Sequence, residues 1–272
     1  MAIAPVVVGS AAAAELDGFH LGKAMLALLV ALTLQIGVNY SNDYSDGIRG
    51  TDDDRVGPFR ITGSAASKPK TVRNMAFTFF GIAALVGLAL VVWSQHWWLL
   101  VVGIAAIIAA WFYTGGKKPY GYMGLGEVFV FVFFGLVAVL GTTFTQADEV
   151  SGLAWAGAVG TGLVSTSLLM ANNVRDIPTD RESGKMTLAV RLGDTAARWS
   201  YPIMLAVAVA APLLFVPEHQ GLWLMLLMLV VSIRPSMIML ETKERGELIP
   251  VLKMTGLFGI LYAILFTLGV LL

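Results

Sequence analysis

Long apolar runs, broken by short charged stretches, dominate the hydropathy pattern of this chain, and the pattern predicts membrane-crossing helices. We read nine segments: Ala2–Ala14, Ala24–Asn42, Val72–Ser94, Trp97–Tyr113, Glu127–Thr145, Gly152–Asn172, Ser200–Val216, Gly221–Leu240 and Lys253–Leu272. Most approach the roughly 20 residues that a helix needs to cross a bilayer. The first is short. Its alanine-rich end, Ala11 to Ala14, has the small residues of a signal-peptide cleavage site but no positively charged start, which favours a short or trimmed membrane helix over a leader.

Composition agrees with that pattern. The 272 residues are 57% hydrophobic and 13% charged, and the mean hydropathy is +0.77. That is too apolar for a soluble domain, and the expectation is an all-α, polytopic membrane protein forming a single domain over residues 1–272. Zero cysteines exclude disulfides, thiolate metal sites and cysteine nucleophiles. Lysine plus arginine and aspartate plus glutamate both number 18, so no bulk attraction to nucleic acid is expected. Nothing in the sequence calls for an obligate protein partner; the lipid bilayer is the expected surrounding.

The distribution of charge orients the segments. Arg49, Arg55, Arg60, Lys68, Lys70 and Arg73 follow the second segment, and Lys117 and Lys118 follow the fourth. Arg175, Arg181, Lys185, Arg191 and Arg198 follow the sixth, and Lys243 and Arg245 the eighth. The alternate loops carry Glu15, Asp17, Asp148, Glu149 and Glu218, with Lys23 as their lone base. By the positive-inside rule the even-numbered segments end in the cytoplasm. Trp93, Trp97 and Trp98 then anchor an outer turn, and His20, His96 and His219 fall near that same outer face.

Two polar stretches close apolar segments on the cytoplasmic side: Asn42-Asp43-Tyr44-Ser45-Asp46 and Asn172 through Asp180. An unpaired aspartate at the centre of a membrane helix costs about 2.5 to 3.5 kcal/mol, so such clusters are not there for stability. Asn42 and Asp46 are four apart, as are Asn172, Asp176 and Asp180, and that spacing stacks side chains on one helical face. Pro178 is expected to perturb the second column near its end. Asp52, Asp53 and Asp54 follow the first cluster closely enough to complete it. The bland alternative is solvated loop charge. Against it stand the matched asparagines and the interleaved bases Arg49, Arg60, Lys117, Arg175, Arg181 and Lys185. All-oxygen ligands favour a hard cation, Mg²⁺ over zinc, and a cation beside arginine and lysine suits a phosphorylated ligand. The repeated Asn-x-x-x-Asp pattern also hints at an internal repeat four helices long.

A third element is Tyr113-Thr114-Gly115-Gly116-Lys117-Lys118-Pro119-Tyr120-Gly121-Tyr122. Its glycines permit close backbone approach and Lys117 can neutralise a phosphate, although tyrosine and lysine also flank many membrane helices as plain anchors. No Gly-rich nucleotide loop, dinucleotide fingerprint or nucleophile elbow is present. Gly81, Gly87 and the glycines of the fifth and sixth segments read as helix-packing positions.

Asn42-Asp43-Tyr44-Ser45-Asp46-Gly47, Tyr113…Lys117, Pro119 through Glu127, and Asn172 through Gly193 together resemble the UbiA-type intramembrane prenyltransferases, across nearly the whole chain. Within that family they look most like the branch that prenylates 1,4-dihydroxy-2-naphthoate. The resemblance implies nine helices in a bacterial cell membrane around a central cavity open to the cytoplasm. It also implies a polyprenyl diphosphate donor, Mg²⁺ as cofactor, release of diphosphate and CO₂, and demethylmenaquinone as product. Carried onto this chain, it makes Asp46, Asp53, Asp176 and Asp180 the metal ligands and Asp46, Asp176, Lys117 and Tyr113 the catalytic set. Asn42, Asn172, Arg49, Arg60, Arg175, Arg181, Lys185, Asp43 and Tyr120 become substrate-binding, with Asp43 and Tyr120 also candidate bases. The common family spacing puts a carboxylate where Gly50 stands, so Asp52 or Asp53 must serve. The basic, proline-containing lead-in to the first helix is missing, so segment one is expected to be short or incomplete. Rival readings are another acceptor (4-hydroxybenzoate, protohaem or a chlorin) and a cation-coupled transporter, whose carboxylates would lie nearer the bilayer midplane.

Overall fold

The computed structural model describes residues 1–49, 62 and 67–272. Asp52, Asp53, Asp54, Arg55 and Arg60 therefore lie outside the described residues, as does Gly50. Among the described residues the regular structure is entirely helical. The longer helices are α1 (Ile3–Glu15), α2 (Leu21–Gly47), α3 (Pro69–Ser94) and α4 (Leu99–Phe112), followed by α5 (Gly126–Val130), a π-helical stretch (Phe131–Leu140) and α6 (Gly141–Ala147), which run on as one rod. Next come α7 (Gly152–Arg175), the short α8 (Ile177–Glu182) and α9 (Leu188–Leu192), then α10 (Asp194–Leu213), α11 (Leu227–Glu241) and α12 (Ile249–Leu271).

Among the described residues seven helices are long and apolar enough to cross a membrane, while Ile3–Glu15 and Leu99–Phe112 are apolar but shorter. At 1.5 Å per residue, 14 residues reach only about 21 Å of a hydrocarbon core of roughly 30 Å. The ends are set by local chemistry. Ser151 accepts a hydrogen bond from the Ala154 amide (3.2 Å) to start α7, and proline occupies the first turn of α3 and of α12, where its missing N–H costs nothing.

The core is built around α7, whose apolar window is 72% buried, against 11% for α2 and 22% for α3. Helix α7 packs against α10, the π-helical stretch and α12, while α1 lies against α12, α6 and α7. Small residues make this possible. A Cβ on Gly135 would lie 2.6 Å from the Ala158 carbonyl oxygen and 2.7 Å from Gly162 Cα, so the two backbones touch. Gly157, Gly160 and Gly162 are likewise close-packed. Gly81 and Gly141 are not: open space surrounds each, so their reading as packing positions is corrected, and Gly87 only reaches ordinary contact with Val30. The outer faces carry exposed Leu85, Val101 and Val230, as a chain solvated by lipid requires.

The two ends of the bundle differ. At one end His96 meets Asp148 (2.7 Å), His219 approaches Glu15 (3.9 Å), and exposed Trp93, Trp97 and Trp98 flank the α3–α4 turn. His20 caps α2 at that end, so all three histidines lie opposite the acidic motifs, as their positions in the chain predict. The other end holds the C-termini of α2, α4 and α7.

Candidate active site at the acidic end

Helix α2 continues through Gly47, so Asn42 and Asp46 stand one turn apart on the same face. The side-chain carbonyl of Asn42 accepts a hydrogen bond from the Thr114 hydroxyl (2.9 Å), and the Arg49 guanidinium donates to the backbone carbonyls of Thr114 and Gly116. These bonds fasten the loop after α4 to the end of α2. Gly116, with φ +79°, supplies the left-handed turn that this loop needs. Asp43 is buried and accepts the Thr62 amide (2.8 Å), which turns it toward the loop that follows α2.

The second motif breaks earlier than Pro178 alone would suggest. Helix α7 ends at Arg175, and Asp176, at φ −92° and ψ 4°, opens α8 with Pro178 in its first turn. Pro178 has no amide hydrogen to give the Val174 carbonyl, which Arg245 takes instead (2.8 Å), but a proline fits the first turn of a new helix, so the axis turns here. The column nonetheless persists, because the Asp180 amide still donates to the Asp176 carbonyl (2.8 Å). Arg175 is buried and grips both oxygens of Asp176 (2.6 and 2.7 Å) while also donating to Asn172 (2.8 Å). Lys185 Nζ stands 3.5 Å from Asp180.

Tyr122 joins the two motifs. Its hydroxyl donates to Asp46 (2.8 Å), and its ring carries the Arg49 guanidinium and the Lys185 ammonium at 5.2 and 5.3 Å from the ring centre. Its carbonyl accepts the Met186 amide (3.0 Å). Sequence reading missed Tyr122 as a site residue. It also missed Glu127, a buried carboxylate that accepts from Asn173 (2.8 Å) and whose second oxygen has no partner among the described residues. Both lie in the Pro119–Glu127 stretch, where a carboxylate at the mouth of an apolar segment was the available signal.

Behind the motifs lies a cavity of about 810 Å³ running between α1, α2, α3, α4, the π-helical stretch and α7, with the start of α12 also on its wall. Asn42 and Asn172 line it from opposite helices, with Tyr113 and Tyr120 beside them and Phe129 and Phe133 further along. Tyr120 stacks on Phe129 (4.0 Å) and donates its hydroxyl to the Ala109 carbonyl (2.8 Å). Burial raises the Tyr120 phenol above its ordinary range, so it keeps its proton at neutral pH. Asp46 and Asp176 lie beyond the asparagines, away from the apolar wall. Lys117 and Arg181 are exposed and have no hydrogen bond or ion pair among the described residues. Nor do three carboxylates or histidines among the described residues converge into a ready-made metal cage. The donor set still fits a hard cation that takes one or two carboxylates and completes its shell from a phosphorylated ligand and water.

Paired asparagine–aspartate columns thus stand at one mouth of an apolar cavity between membrane-length helices. A family model described as the UbiA prenyltransferase family matches residues 2–245, and the chain belongs to that family and is a prenyltransferase. It is 52% identical over 265 residues to the 1,4-dihydroxy-2-naphthoate octaprenyltransferase of Mycobacterium tuberculosis (strain ATCC 25618 / H37Rv), covering 97% of this chain and 90% of that one. The enzyme of the same name from Escherichia coli (strain K12) is 36% identical over 279 residues, covering 99% and 91%. Among solved structures, the apo UbiA homolog from Aeropyrum pernix K1 superposes with a TM-score of 0.70 at 18% identity, covering 96% of each chain. A UbiA homolog from Archaeoglobus fulgidus bound to GPP and Mg²⁺ gives 0.59 at 15% identity, covering 99% and 97%.

Proposed function

We propose that this chain, as a single transmembrane domain, transfers a polyprenyl group from polyprenyl diphosphate to 1,4-dihydroxy-2-naphthoate. The observation that carries the reaction is the meeting of Asn42 and Asn172 on the wall of one cavity, with a carboxylate column behind each. The acceptor is carried by the naming of the relatives that match the chain almost end to end. The excess of Lys and Arg at the acidic end supports a mouth that faces the cytoplasm.

In this reading the diphosphate rests at the mouth and the prenyl tail lies along the apolar wall. Asp46, Asp176 and Asp180, with Asp53, would hold Mg²⁺, which when bound supplies positive charge against the diphosphate. Lys117, Arg181 and Lys185, together with Arg49 and Arg60, neutralise charge as it builds on the leaving group. Arg175 acts at one remove by holding Asp176 and Asn172 in place. The allylic carbon–oxygen bond breaks with its electron pair going to the diphosphate. The faces of Tyr113, Tyr120 and Phe129 shelter the allylic cation from water. A ring carbon of the naphthoate supplies the pair for the new carbon–carbon bond. The carboxylate leaves as CO₂, its bonding pair staying with the ring, and the hydroquinone product gives demethylmenaquinone after a two-electron oxidation outside this site.

The test is a competition. Purified protein with Mg²⁺ and a prenyl diphosphate receives equimolar 1,4-dihydroxy-2-naphthoate and 4-hydroxybenzoate, and products are identified by mass. Prenylated, decarboxylated naphthoate as the main product supports the reading. A prenylated benzoate, or no prenylated product, overturns it.

A further inference from the structure

Among the described residues one charged side chain, that of Lys253, lines the cavity, and the proposed reaction does not use it. It belongs to the first turns of α12, where the partial positive charge of the helix end opposes a cation, so helix stability does not explain it. No hydrogen bond or ion pair engages it among the described residues. A lysine near a helix end can snorkel along the lipid face to the interface. Lys253 is exposed, and it also shares the cavity wall with Leu252 and with Leu169 and Asn172 of α7.

The wall therefore offers a cation within largely apolar surroundings.

We propose that Lys253 is the counter-ion for the acceptor's carboxylate, so that it selects and orients an aromatic acid. The inference rests on the acceptor reading under Proposed function. It favours the acceptor over the diphosphate because Lys253 lies on the cavity wall, whereas Arg175, Asp176, Asp180 and Lys185 lie beyond Asn172 at the mouth. An anionic lipid headgroup has the same charge chemistry, and the test must separate it.

The experiment compares two acceptors, 1,4-dihydroxy-2-naphthoate and 1,4-dihydroxynaphthalene, which lacks the carboxylate, using full-length enzyme in nanodiscs. The wild type should prefer the carboxylated acceptor by about 10- to 150-fold in kcat/KM, the value of one charge-assisted contact. Lys253→Met should erase that preference, Lys253→Arg should retain most of it, and the donor KM should move less than twofold in both. Calorimetric titration of the naphthoate without donor should show the same loss of affinity in Lys253→Met. A donor defect would move Lys253 to the diphosphate, and an effect seen only with anionic nanodiscs would assign it to lipid; either overturns the proposal. So does a wild type that is indifferent to the carboxylate, a result that needs no folded variant. A wild type that prenylates neither acceptor sinks the acceptor reading itself, which keeps the two failures distinct.

Discussion

At the scale of single residues, Tyr122 ties the site together, because one side chain touches Asp46 and Arg49 from the first motif and Lys185 from the second. Removing only its hydroxyl leaves the ring beneath both cations but takes a donor from a carboxylate. Tyr122→Phe should therefore lower kcat/KM by roughly 10-fold, the low end for a hydrogen bond to a charged group, and Tyr122→Leu by more. Wild-type kinetics in the Phe variant would remove Tyr122 from the site. For Lys117, exposed beside two glycines, Lys117→Ala should weaken use of the prenyl donor by about 10- to 150-fold and barely change the naphthoate KM. Steady-state kinetics, varying each substrate with the other saturating, decide; a defect confined to the naphthoate contradicts the assignment. The two asparagine–aspartate columns were legible in the sequence because helical spacing is local. Tyr122 was not, since its importance comes from partners 76 residues before it and, through Lys185, far after it.

At the scale of elements, the cavity depends on α7 and the π-helical stretch standing close together. A side chain at Gly135 must displace backbone at Ala158 and Gly162, which cannot yield as a flexible side chain would. Gly135→Leu should cost about 1 to 3 kcal/mol by overpacking, read as a lower Tm in detergent, whereas Gly141→Leu, in open space, should leave Tm near wild type. Equal losses at the two positions would contradict this account of packing. Among the described residues the nine apolar segments fall on seven helices of spanning length and two shorter ones, but the pattern did not separate glycines that pack from glycines that face open space, because both lie in equally apolar runs. Nor did it show the turn at Asp176, where Pro178 lacks the amide hydrogen that would continue α7.

At the scale of the whole molecule, the bundle sets the two acidic motifs at one end and the histidines at the other, which an even number of helices between the motifs requires. The alternation of charge along the sequence was enough to foresee that end, whereas the cavity behind it depends on how several helices distant in sequence meet. If the acidic end is cytoplasmic, cysteines replacing exposed Ser183 and Lys118 should react with an impermeant maleimide only from the cytoplasmic side, and one at Glu149 only from outside. Ser183 and Lys118 reacting from opposite faces would break the single-mouth arrangement. Turnover should cease in EDTA and return with Mg²⁺, and full activity in EDTA would contradict a carboxylate-held cation. The central claim, that both carboxylate columns serve one diphosphate, is tested most directly by soaking crystals with Mn²⁺ and an unreactive prenyl thiodiphosphate and measuring anomalous density. The account predicts Mn²⁺ within coordination distance of the first motif at Asp46 and of the second at Asp176 or Asp180, with the thiodiphosphate bridging them. Manganese confined to one motif, with the thiodiphosphate bound away from the other, would contradict it.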